Sequence, residues 1–411
     1  CLVAHINTFR GLRPKKEFVR HVAVLPYDVV SVEEARKAAG NNRLSFFHIS
    51  RPEIDFPREI DSGDYRVYLH GKEYLEKMID EGIMAQDDRP YMYLYTQVIN
   101  GREQTGLIAS VSIDDYLNGV IKRHELTRED KENDRAEHID VVGANTGQVF
   151  LFFNDDGSKD HCFQKALQIP PEYDFVSEDD GVRQIIRVID DDDLMEAFMS
   201  AFKREVLYIA DGHHRAAAAV RIGMKRRKEN PHFTGEEEFN RFMAVIFPHS
   251  QLRILSYNRV VEGLNGLSST AFQERVSDDF HIQKTNKSSP ESFHEICMYM
   301  DHAWHVLNPR FDPGNDPVNS LDVTLLQDHL LGPVLGILDP RTDKRIEFIG
   351  GDNSVACLTA MVDSGRYAAG FSLFPTGIEQ LMKVSNAGAI MPPKSTWFVP
   401  KLKSGLVMHL I

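Results

Sequence analysis

The spacing of apolar and polar positions divides this chain into short strands and amphipathic helices. Val22-Ala23-Val24-Leu25, closed by Pro26-Tyr27-Asp28, reads as a strand running into a turn. Ser31 follows as the cap of a helix that begins Val32-Glu33-Glu34-Ala35. Over 65–82 the apolar residues Tyr68, Leu69, Tyr74, Leu75, Met78 and Ile79 recur at helical spacing. The β-rich runs 91–99 and 104–111 flank Asn100-Gly101, a strong hairpin signal. A short helix begins over 113–120, and Thr127 with Asp130 forms a capping pattern ahead of a charged helix. The runs 149–153, 206–209 and 242–247 are almost wholly apolar, as strands covered on both faces require. Residues 252–261 continue in extended style, and the serine-bearing stretch 263–290 reads as a boundary around one short helix. Helices alternate with strands and hairpins are mixed in, so the expected fold class is α/β with a mixed sheet.

Composition narrows the class. The chain has 411 residues, 42% hydrophobic and 26% charged, which fits a globular protein of two domains. The expected division is a core over 1–265 and a C-terminal α/β region over 266–411, whose end (388–405) is expected to return to that core. A net charge of −14 repels nucleic acid and anionic membrane surfaces, so neither is an expected partner. No apolar run is long enough for a membrane span and no leader peptide is read at the start, so a cytoplasmic location is expected. The scattered Cys1, Cys162, Cys297 and Cys357 form no Cys-x-x-Cys pair, which agrees with a reducing compartment.

The densest chemistry lies in Glu205-Val-Leu-Tyr-Ile-Ala-Asp-Gly-His-His-Arg-Ala-Ala-Ala-Ala-Val-Arg221. An apolar strand precedes, and an alanine-rich helix follows, the polar string Asp211-Gly212-His213-His214-Arg215. A helix start offers unpaired backbone N–H groups and the positive end of the macrodipole. Gly212 lets the backbone approach an anion, and Arg215 can clamp phosphate oxygens. The same string also suits a plain capped helix, with Asp211 as cap and the next residues solvated. Adjacent histidines face different ways on a helix, so His213 and His214 do not chelate one ion together, although one of them with Asp211 remains an option.

Lys122-Arg123-His124-Glu125 sets two fixed positive charges, an imidazole and a carboxylate side by side. It can hold phosphates and move a proton, or it can be a solvated charge run. Met391-Pro-Pro-Lys-Ser-Thr-Trp-Phe presents Lys394, Ser395 and Thr396 on a proline-stiffened loop that serves either a ligand or the core. Asp28 stands where a strand delivers a side chain, or simply stabilises a turn. Walker A, dinucleotide-fingerprint, nucleophile-elbow and zincin strings are absent, which disfavours the common nucleotide folds, serine hydrolases and zinc proteases.

Several strings together resemble one bacterial and archaeal family. They are Phe9-Arg10-Gly11-Leu12, Pro26-Tyr27-Asp28-Val29, Lys122-Arg-His-Glu-Leu-Thr127, Asp211-Gly-His-His-Arg215, Leu252-Arg-Ile-Leu255, Asp339-Pro-Arg-Thr-Asp343 and Met391-Pro-Pro-Lys-Ser-Thr-Trp-Phe398. On these the chain is identified as a member of the domain-of-unknown-function family 1015 over nearly its whole length. More distantly, Gly212, His214 and Arg215 are similar to the nucleotide-phosphate loop of the ParB/sulfiredoxin superfamily, which includes free serine kinases. The chain departs from the sulfinic acid reductases of that superfamily in having no cysteine in the motif.

This resemblance implies a ParB/sulfiredoxin-like nucleotide-binding core with an additional C-terminal α/β region. It implies a phosphotransferase on a small metabolite, serine or O-phosphoserine first, using ADP or ATP with Mg2+. In that reading Gly212, His213, His214 and Arg215 hold phosphates, with Lys122, Arg123, Lys394, Ser395 and Thr396 as further binding groups. Asp28 or Glu125 is the base or magnesium ligand, His124 the proton carrier, and Asp211 a catalytic carboxylate. The alternatives are a metal-dependent phosphoesterase using Asp211 with a histidine, and a nucleotide-sensing protein without turnover. The expected partner is a small phosphorylated ligand, and a homo-oligomer is compatible with the sequence.

Overall fold

The computed structural model describes residues 4–411, so Cys1 lies outside the described residues. The chain divides into two compact units, one running to Leu252 and including Pro400–Ile411, the other Arg253–Val399. Among the described residues no helix is long and apolar enough to cross a membrane.

The first unit is built on a nine-stranded mixed sheet. Its main strands are β1 (Met92–Ile99), β2 (Arg102–Ser112), β3 (Ile121–Lys122), β4 (Val149–Phe153), β5 (Tyr173–Val176), β6 (Arg183–Ile189), β7 (Leu207–Asp211) and β8 (Arg241–Pro248). They lie in the order β3-β7-β4-β8-β2-β1-β6-β5, and Ile6–Asn7 pairs along β2. The β3–β7 and β4–β8 pairs are parallel, whereas β4 and β7 run antiparallel. The β1–β2 hairpin turns where expected, with Asn100 and Gly101 both at positive φ (51° and 74°).

Two long helices matter for the site: α1 (Glu129–Val142) and α2 (His213–Glu229). Ala216, Ala217, Ala218 and Ala219 of α2 are all buried and pack with Ile209, Leu151 and Ile246 of the sheet. Small side chains let the helix lie close to the strands, and a Cβ at Gly223 would stand 2.4 Å from the Phe239 carbonyl oxygen. A second, smaller core in the same unit joins Leu12, Val22, Phe46, Leu75 and Met408. It is backed by a four-stranded sheet of Met84–Gln86, Gly11–Pro14, Met408–Leu410 and Ala144–Asn145.

The second unit holds a six-stranded antiparallel sheet. Its order is Phe280–Thr285, Ala303–Pro309, Ile296–Met300, Ala369–Leu373, Asn258–Val261, Ile346–Ile349. The helix Ser354–Asp363 covers it through Leu358 and Val362.

Local structure departs from the pattern in three places. The run 22–25 is not a strand: Val19–Val22 is a helical turn, and Val24 alone forms a bridge, with Ser404. Burial of Val22 in the smaller core, and not strand pairing, is what its apolar character serves. Thr127 does not cap the charged helix, because its hydroxyl donates to Glu132 Oε2 at 2.7 Å and the helix begins behind Arg128. The stretch 263–290 contains the expected short helix, Ser269–Val276, but also the strand Phe280–Thr285. By contrast Ser31 forms a full capping box with Glu34 ahead of Val32–Ala39.

Candidate functional site

The strand β7 ends at Asp211 and α2 begins at His213, so one residue makes the turn. Gly212 has φ 92° and ψ 31°, a left-handed conformation that a side chain would strain. A Cβ there would also lie 3.1 Å from Arg215 Nε and Cζ. Gly212 provides no side-chain cap, and its carbonyl accepts the first helical bond, from Ala216 N–H at 2.9 Å. The N–H groups of His213, His214 and Arg215 therefore have no intrahelical acceptor. Asp211 does not cap them. Its Oδ1 accepts from Gly212 N–H at 2.8 Å, and its Oδ2 accepts from Lys401 Nζ at 2.9 Å. Burial alone would raise the Asp211 pKa, but Lys401 and Arg215 hold it well below the usual carboxylate range.

Arg215 is buried and anchored at its tip. Nη1 donates to the Gln148 carbonyl and Nη2 to Asp28 Oδ2 at 3.2 Å, while Nε has no partner. The guanidinium borders a small cavity also lined by Tyr27, Arg135, His138, Asn145 and Gly147. Asn145 Nδ2 and the neighbouring Gln148 Nε2 are buried N–H donors without acceptors as well. Arg135 stacks on the Tyr27 ring at 4.1 Å and pairs with Asp134 at 2.8 Å. His138 Nε2 is 2.8 Å from the Ile49 carbonyl oxygen, and burial, with Arg135 nearby, pushes its pKa down to about 3.

The parallel pairing of β3 with β7 sets Ile121 beside Leu207 and Lys122 beside Tyr208. His124 thus emerges next to the β7–α2 turn. Its ring meets the His213 ring edge to face, with centroids 4.5 Å apart. Both imidazoles are buried, and burial lowers both pKa values, His124 to about 4 and His213 well below its ordinary value. Glu125 is half-buried beside them. His214 points elsewhere, its Nε2 accepting from Arg128 N–H at 3.0 Å. Arg123 lies over the Tyr116 ring at 4.9 Å.

The structure therefore brings Asp28, His124, Glu125, Asp211, Gly212, His213 and Arg215 into one region of the first unit. Lys394, Ser395 and Thr396 belong to the second unit. There Lys394 Nζ lies over the Tyr257 ring at 5.5 Å, and Ser395 Oγ donates to the Pro392 carbonyl at 2.6 Å. Sequence reading missed Tyr27, Arg135, Asn145, Gln148 and Lys401. The signal available for two of them was the loop Gly143-Ala-Asn-Thr-Gly-Gln148, polar and glycine-bearing just before an apolar strand. Nothing local marks Arg135 or Lys401.

Solved structures with a similar outline share little sequence. A free serine kinase in complex with AMP is 12% identical, with a TM-score of 0.35, covering 73% of this chain and 92% of its own. A conserved hypothetical protein from Pyrococcus furiosus is 14% identical, with a TM-score of 0.35, covering 73% and 95%. SbnI from Staphylococcus aureus, with a C-terminal truncation, is 12% identical, with a TM-score of 0.34, covering 72% and 85%. No curated protein matches the chain. The match that spans most of the sequence is to the family described as protein of unknown function (DUF1015), over residues 6–324, and the chain belongs to that family.

Proposed function

We propose that the first unit binds a nucleotide or another phosphorylated small molecule and transfers a phosphoryl group to or from a small metabolite. Serine and O-phosphoserine are the first candidates, from the motif's likeness to the serine-kinase loop. One observation carries the phosphate reading. Arg215 Nε and Asn145 Nδ2 are buried donors without acceptors, on residues that line one small cavity beside the start of α2. Leaving a buried donor unpaired costs about 1–3 kcal/mol, so a group of them favours an incoming anion. Phosphate oxygens are acceptors only, and they match such a set.

In the transfer, the donor's terminal P–O bond breaks, the acceptor hydroxyl oxygen bonds to phosphorus, and the hydroxyl proton passes to a carboxylate. Asp28 is the carboxylate offered for that role, since it touches Arg215 and is partly exposed. Its oxygens also suit Mg2+, which takes carboxylate and phosphate oxygens and would neutralise developing charge. Lys401 holds Asp211 in place, so Asp211 is read as a positioning residue.

The test is a thermal-shift series with AMP, ADP, ATP, O-phosphoserine and inorganic phosphate, followed by ³¹P spectra with Mg2+ and serine. A ligand at ~100 times its Kd stabilises by ~2.7 kcal/mol. The expected result is a shift with at least one nucleotide that Arg215→Ala removes. Static spectra with a retained shift would favour a sensor, and no shift with any of them overturns the reading.

A further inference from the structure

The phosphate reading leaves His124 and His213 without an assigned chemistry, although their buried rings meet 4.5 Å apart. His124 Nδ1 and His213 Nε2 are buried with no hydrogen-bond partner. Unpaired imidazole nitrogens in the interior are costly, and two on adjoining rings compound the cost. One ligand-capable atom from each of His124, Glu125 and His213 lies within 4.8 Å of the other two. We propose that His124, Glu125 and His213 form a binding site for a divalent first-row transition metal ion such as Zn2+, separate from any Mg2+ carried by a nucleotide.

The donor set decides the class of ion. Two imidazoles and one carboxylate suit Zn2+, Mn2+ or Fe2+, whereas Mg2+ and Ca2+ prefer oxygen throughout. Three protein ligands leave a coordination position open to water or to a ligand oxygen, as in catalytic rather than structural zinc sites. At Zn–N distances of ~2.0–2.1 Å, tetrahedral ligand atoms stand roughly 3.4 Å apart, so atoms at the 4.8 Å limit must approach by about 1.4 Å. Glu125 is the most exposed of the three.

The surroundings fit as well. The second ring nitrogen of His124 is held by the backbone of Ile209, the kind of outer contact that fixes a metal-binding tautomer. Beyond Glu125 itself, Asp211 adds a negative charge that favours a cation, while Arg123 and His214 oppose one. Arg123 is drawn aside over Tyr116, and His214 is turned to the Arg128 backbone. The topology also explains the pairing. His124 and His213 each stand two residues beyond the C-terminal ends of the neighbouring parallel strands β3 and β7.

Full-length protein freed of metal by a chelator is titrated with Zn2+ against a chromophoric competitor, and with Co2+ for its visible spectrum. One ion per chain is expected, with a Co2+ spectrum of nitrogen and oxygen ligation and no thiolate band. Glu125→Gln and His213→Ala should each weaken Zn2+ binding at least ~10-fold, while Cys357→Ser should leave it unchanged. Should His213→Ala fail to fold, half-buried Glu125→Gln and Co2+-induced shifts of histidine resonances in the unaltered protein decide the matter. Absence of binding, or binding indifferent to Glu125→Gln without such shifts, overturns the site. Arg215→Lys is expected to lose the nucleotide shift but keep Zn2+, so the metal site and the phosphate reading can fail independently.

Discussion

Replacing Gly212 by alanine tests whether the turn exists to place Arg215. The control is Gly143→Ala. Gly143 ends α1 at φ 74° and ψ 25°, and a Cβ there meets nothing within 4 Å. Both substitutions incur the left-handed penalty of an L-residue, roughly 1–2 kcal/mol. Only at Gly212 does the new methyl stand 3.1 Å from Arg215 Nε and Cζ. The guanidinium must then retreat by a few tenths of an ångström within a buried site, straining its bonds to Gln148 and Asp28. Hydrogen bonds to charged groups are worth ~1.5–3 kcal/mol each. Gly143→Ala is therefore expected to cost ~1–2 kcal/mol and Gly212→Ala about 3–5 kcal/mol. Urea unfolding followed by circular dichroism measures both, and the same samples show whether nucleotide stabilisation is lost only in Gly212→Ala. Equal destabilisation with equal ligand response would refute the idea that this glycine positions the arginine.

Three further outcomes are expected. His138 is neutral in the folded chain with a pKa of about 3, against ~6.5 when unfolded, so the unfolded state binds more protons in between. Its contribution is intact above pH ~6.5 and falls by roughly 2 kcal/mol at pH 5. His138→Gln should flatten that part of the stability–pH curve, and an unchanged difference from pH 7 to 5 would count against neutral burial. Lys159 is 1% exposed and 2.6 Å from Glu205, so Glu205→Gln leaves its buried charge only the longer, 3.8 Å pair with exposed Asp156 and should cost about 3 kcal/mol in denaturant melts. Lys159→Met with Glu205→Leu should recover most of that loss. In the second unit a Cβ on Gly350 would stand 2.3 Å from the Trp397 ring, so Gly350→Ala should cost ~1–3 kcal/mol and alter tryptophan fluorescence.

What the sequence determined was local. The run into Asp211, the glycine turn and the alanine-rich helix follow from side-chain size and backbone preference within a dozen residues. The hairpin at Asn100-Gly101 and the Ser31 cap are of the same kind, and so is the mixed-sheet class, since alternating elements with hairpins leave few alternatives. The motifs that mark the family are likewise contiguous strings.

The tertiary structure decided which groups meet. Lys401 comes 190 residues after Asp211 and Asp28 lies 187 residues before Arg215, yet both pairs are in contact. No periodicity encodes such distances. They arise because the sheet order sets β3 against β7 and because the last residues rejoin the first unit. The same long-range packing left Arg215 Nε, Asn145 Nδ2, His124 Nδ1 and His213 Nε2 without partners. Whether a polar atom is satisfied depends on its whole surroundings, which a local string does not contain. The sequence marked Asp211-Gly212-His213-His214-Arg215 as a place for an anion. Burial and long-range pairing divided it into a buried arginine that meets Asp28, an ion-paired aspartate and a histidine that faces a second histidine.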